Sequence, residues 1–168
     1  MKDPLTAEEH NNLGVIYERE GKHELALREY KRASAIDGEL VTPIVNTGNV
    51  YLKLGKYKKA VKYYKKALKK DPANIEAANN LASAYIETGE NLEEGLSYLL
   101  AATKLQEPVP AYALDTVGVL YLKTGDRGKA RKYLTEACKS ASGSEELKEE
   151  IKSHLAELGE YEGCESEK

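Results

Sequence analysis

Tryptophan and phenylalanine are absent from this 168-residue chain, methionine occurs once and cysteine twice. Its aromatic content is therefore tyrosine alone, 12 residues. Two cysteines do not make a disulfide framework. Cys138 stands in a helical pattern and is expected as a small buried apolar side chain, and Cys164, in a charged tail, as an exposed thiol. No apolar run approaches the roughly 18 residues that span a bilayer. The start, Met1-Lys2-Asp3-Pro4, has no apolar core of a secretion signal, so a cytoplasmic location is expected. His10, His23 and His154 are scattered at spacings that suit neither a metal nor a nucleophile with its base. Charged residues make up 32% of the chain and the net charge is only −3, which gives no overall bias towards nucleic acid. Few oxidisable residues beside many lysines and glutamates is a composition found in thermophiles, against which eight asparagines count.

What the chain does hold is a period. Gly14, Gly48, Ala82 and Gly118 recur with Tyr17, Tyr51, Tyr85 and Tyr121 three residues on, and with Gly21, Gly55, Gly89 and Gly125 four residues after those. The units begin at Ala7, Val41, Ile75 and Ala111, spaced by 34, 34 and 36 residues. A unit of this length is one helical hairpin that cannot bury its apolar face alone, so the units must stack. Small residues at unit positions 8 and 20 let two helices approach, and tyrosines at 11 and 24 fill the remaining space. The glycine at 15 takes the positive backbone angle that ends a helix.

Residues 41–74 carry Gly48, Tyr51, Ala60, Tyr64, Ala67 and Pro72, and residues 7–40 carry Leu13, Gly14, Tyr17, Ala26, Tyr30 and Ala33. Residues 75–110 carry Leu81, Ala82 and Tyr85, then an insertion near Asn91, and residues 111–142 carry Val117, Gly118, Tyr121, Ala130, Leu134 and Ala137. This pattern resembles the tetratricopeptide repeat family. The resemblance covers residues 7 to about 142 and departs from the family at Thr47, where leucine is usual, and at Gly38, where proline is usual. It implies an all-α, right-handed α-solenoid of antiparallel helix pairs.

Around the repeats, residues 1–6 read as a lead in which Thr6 and Glu9 make a capping box. Gln106 to Pro110 lengthens the join before the fourth unit, where a change of superhelical pitch is expected. Leu147, Ile151, Leu155 and Leu158 form a stripe at helical spacing, so residues 143–158 are expected to cap the stack. Residues 159–168 are expected to be a disordered tail. The repeats leave no length for a catalytic domain, so a non-catalytic role without cofactor or metal is expected, in a monomer or weak oligomer. His10, at a position usually large and apolar, reads as a tolerated exposed substitution.

The resemblance also implies a concave groove lined by the first helix of each unit. Position 6 there is Asn12, Asn46, Asn80 and Thr116, with Asn11 and Asn79 at position 5 and Asn49 at position 9. Six of eight asparagines thus fall on one surface, where a side-chain amide offers both donor and acceptor to an extended backbone. The ladder resembles the one lining the repeat domain of O-linked N-acetylglucosamine transferases. It implies a protein or peptide ligand, with Arg19, Lys53 and Lys123 as a positive edge. The family's carboxylate clamp for chaperone C-termini needs cations on successive inner helices. The two possible registers instead supply Asn11, Val15, Asn46, Glu76 and Asn80, or Val45, Asn49, Asn80, Tyr112 and Thr116. Such a ligand is not expected. An alternative surface is the run Lys58, Lys59, Lys62, Lys65, Lys66 and Lys69 on the second helix of residues 41–74. That unit carries +8 and the rest of the chain −11. The run suits nucleic acid, an anionic membrane or an acidic protein.

Overall fold

The computed structural model describes residues 4–141, 143–159 and Cys164. Among the described residues it consists of nine helices: α1 (Ala7–Arg19), α2 (His23–Ile36), α3 (Thr42–Lys53), α4 (Tyr57–Lys70), α5 (Ile75–Thr88), α6 (Leu92–Thr103), α7 (Ala111–Thr124), α8 (Arg127–Ser140) and α9 (Glu145–Ala156). No strand occurs among them, and no helix is long and apolar enough to cross a membrane. The architecture is an all-α solenoid. It divides into two compact units between Ala84 and Tyr85, within α5.

In the unit ending at Ala84, α1 packs on α2, α3 on α4, and α2 on α3. Small side chains set these approaches. Ala26, Ala33, Ala60 and Ala67 are fully buried, and the rings of Tyr30 and Tyr64 lie against Gly14 and Gly48. A methyl group on Gly48 would stand 2.5 Å from Tyr64 Cε1, so the close crossing of α3 and α4 requires a residue without Cβ. Helix ends follow local chemistry. Thr6 and Glu9 form the reciprocal capping box, Asn74 Oδ1 accepts from Ala77 N at the start of α5, and Asp71 closes α4 before Pro72. Gly55, with φ +65°, turns the chain from α3 into α4.

His10 is not an exposed substitution. It is 1% exposed, and its Nδ1 lies 2.8 Å from Oε2 of the equally buried Glu29, which also accepts from Arg28 and Arg32. A buried imidazole is satisfactory at a normally apolar position because the facing helix supplies a carboxylate.

In the unit beginning at Tyr85, α6 packs on α7, α7 on α8, and α8 on α9. Asn91, the inserted residue, adopts the left-handed region at φ 53°, a conformation that asparagine tolerates. Leu114, Ala130, Leu134, Ala137, Ile151, Leu155 and Leu158 form one core, so α9 covers the apolar face of the last hairpin. Ser144 and Asp126 cap α9 and α8. The Glu107–Pro108 peptide is cis.

The cysteines correct the sequence expectation. Cys138 and Cys164 are joined in a disulfide, with Cα atoms 5.3 Å apart, so Cys164 is not a free exposed thiol. Cys164 lies beside the buried Cys138 of α8, a proximity that a separation of 26 residues does not reveal. The remaining expectation, a disordered tail over 159–168, falls outside the described residues except at Gly159 and Cys164.

Candidate functional site

The inner helices α1, α3 and the first part of α5 place Asn11, Asn46, Asn49 and Asn80 together. Asn46 Nδ2 donates to Asn11 Oδ1 at 2.9 Å. Asn49 Oδ1 accepts from Asn80 Nδ2 and from the Tyr64 hydroxyl, each at 2.9 Å, while Asn49 Nδ2 donates to Glu76 at 3.1 Å. The amides thus form bonds between successive repeats, a use that position numbers alone do not show. In these bonds Asn46 and Asn80 each serve as donor through the side-chain N–H. Asn12 is exposed. Asn79 is half-buried, and its Oδ1 is buried without a hydrogen-bond partner among the described residues.

Ionised groups flank this row. Tyr30 donates to Glu18 Oε2 at 2.9 Å, and Lys53 reaches Glu18 Oε1 from the next repeat. Burial, reinforced by Glu18, raises the Tyr30 phenol far above its ordinary range, and burial with the charge of Glu76 does the same to Tyr64. Both therefore act as neutral donors that hold their acceptors in place. Arg19 is exposed at the rim. In the other unit Thr116 turns its hydroxyl to the Tyr112 carbonyl of its own helix, and Lys123 is exposed.

On α4, Lys58, Lys59, Lys62, Lys66 and Lys69 are exposed and Lys65 is half-buried. Lys59 lies 5.3 Å from the centre of the Tyr51 ring, which packs 5.5 Å from Tyr63. Lys66 lines a cleft of about 510 Å³ together with Arg28, Lys31 and the acidic Glu24 of α2, Leu27 and Tyr63. Two cations from another repeat thus join the lysine run, which sequence reasoning about one helix missed.

His154 is also partnered, although its place in the sequence suggested otherwise. Its Nδ1 lies 2.8 Å from Oδ1 of the buried Asp115. The hydrogen bond to Asp115 raises the imidazole above its ordinary range against the opposing effect of burial, and Glu150 and Glu157 add to the rise.

Hairpins of matched length, closed by glycine against tyrosine or leucine, define a helical-repeat protein. The chain belongs to the tetratricopeptide repeat family, which matches residues 7–40 and 111–143 as the tetratricopeptide repeat and 48–89 as the TPR repeat. No curated protein matches it. Among solved structures it is similar to a thermophilic TPR protein of Thermus thermophilus, at 26% identity and TM-score 0.70 over 91% of this chain and 81% of that one. It is similar to MamA of Desulfovibrio magneticus RS-1, at 20% identity and TM-score 0.71, covering 96% and 97%. PilF of Pseudomonas aeruginosa gives 22% and TM-score 0.79, covering 94% and 71%. The last two likenesses are of fold. Proteins of this fold are generally non-enzymatic scaffolds for protein–protein interaction.

Proposed function

We propose that the chain binds an extended segment of a partner protein along the face formed by α1, α3 and the first part of α5. The observation that carries this reading is the fixed pair Asn46 and Asn80, one repeat apart. Each is oriented by donating to a neighbouring asparagine, and its carbonyl oxygen would accept from a backbone N–H. A preformed amide loses little freedom when it takes up a peptide backbone, which lowers the ordering cost of binding. The polar row suits recognition of the main chain, and Glu18, Lys53, Glu76 and Arg19 at its flanks would select side chains by charge.

The test is selection of binders from a random peptide library, followed by measurement on two variants. Asn46→Ala with Asn80→Ala should weaken the selected peptides while circular dichroism shows a folded chain. Reversal of Lys62 and Lys66 to glutamate should leave them bound. Loss on the lysine variant alone, with steep salt dependence, would move binding to the α4 face and to an anionic ligand.

A further inference from the structure

Asp115 departs from the repeat pattern. Its place in the unit is taken by Asn11, Val45 and Asn79 elsewhere, and here a carboxylate is 6% exposed in the body of α7. Its single ion pair among the described residues is with His154 of α9, so neither lysine nor arginine offsets its burial. Glu150 precedes His154 by four residues, which places both on one face of α9. One ligand atom each from Asp115, Glu150 and His154 lies within 4.8 Å of the others. With Glu157 also near the imidazole, three carboxylates share one histidine.

We propose that Asp115, Glu150 and His154 bind a divalent transition-metal ion, with Zn²⁺ the best fit to the ligand set. One imidazole nitrogen and two carboxylate oxygens are ligands that Zn²⁺ accepts at about 2.0–2.2 Å. Around such an ion, ligand atoms stand about 3.3 Å apart in tetrahedral geometry. Asp115 and His154 begin at 2.8 Å, and the exposed Glu150 side chain closes the remaining gap by a change of rotamer. Mg²⁺ and Ca²⁺ fit less well, because they prefer six or more oxygen ligands and this site offers two carboxylates and a nitrogen. Without metal, the proton shared by His154 and Asp115 keeps these two ligands in position. With metal, the ion replaces that proton and neutralises both carboxylates.

The ion would join α7 to α9, fastening the capping helix over the core that Ile151 and Leu155 complete. Three protein ligands leave one coordination position for water.

The experiment uses the untagged full chain, since a polyhistidine tag would itself bind the metal. Zn²⁺ titrated at neutral pH should bind as one equivalent and raise the melting temperature, and Co²⁺ should give the visible absorption of a four-coordinate ion. Glu150 is exposed, so Glu150→Gln should leave the metal-free melting temperature unchanged. It should weaken Zn²⁺ binding by more than about 100-fold, the upper end of what loss of an outer partner costs. His154→Gln should abolish binding. Failure of the wild type to bind Zn²⁺ saturably, or equal binding by wild type and both variants, would overturn the site.

Discussion

Asn46 donates its side-chain N–H to Asn11 Oδ1 across 2.9 Å, linking the first inner helix to the second. Asn11 is 9% exposed, so water replaces a lost partner poorly. Asn46→Ala should therefore cost about 1–2 kcal/mol in urea unfolding, besides any effect on a ligand. An exposed neighbour, Asn12→Ala, should change stability by less than about 0.5 kcal/mol. Equal costs would show that the inter-repeat bond contributes nothing.

Two glycines of α3 and its turn should respond to substitution in opposite order. Gly48 faces the Tyr64 ring, so a larger side chain is worse, with Gly48→Ala costing about 1–3 kcal/mol and Gly48→Asn more. Gly55 has open space but φ +65°, so its cost is conformational. Gly55→Asn should be milder than Gly55→Ala, because asparagine visits the left-handed region more readily. Thermal melts of the four variants decide the order.

Acid should act through Glu29. Burial pushes its carboxyl up, but the bonds from His10, Arg28 and Arg32 together outweigh that and hold it below its ordinary 4.5. A carboxylate with a depressed folded-state pKa stabilises the fold above the unfolded value and loses that contribution as pH falls through the folded one. Glu29→Gln should thus cost about 1.5–3 kcal/mol at neutral pH, the range for hydrogen bonds to a charged group. The gap to wild type should narrow below pH 4.5, and a constant gap in chemical denaturation down to pH 3 would remove the ion pair from the account.

The disulfide should stabilise the unit that starts at Tyr85. Closing a loop of 26 residues is worth about 3 kcal/mol in the chain-entropy model. Reduction, or Cys164→Ser, should lower the melting temperature of that unit. No shift under dithiothreitol with free thiols confirmed would contradict this.

The features legible in the sequence are those written in local chemistry. Gly48 and Tyr64 belong to one hairpin, and their spacing announces a close crossing; Thr6 and Glu9 announce a helix start within four residues. Contacts between helices far apart in the chain were hidden, because they depend on how each helix is rotated about its axis. His10 and Glu29 are 19 residues apart, and His154 and Asp115 are 39 apart. Each histidine looked solitary for that reason. The asparagine row was visible as a surface, but its bonds from Asn46 to Asn11 and from Asn80 to Asn49 required the repeats to be stacked. Arg28 and Lys31 likewise join Lys66 only across a repeat boundary.

The Cys138–Cys164 bond also changes what a protease can accomplish. A cut anywhere between these residues, α9 included, leaves two pieces that remain one covalent molecule until a reductant reaches the sulfurs. The C-terminal fragment would be released on a reducing gel and retained on a non-reducing one.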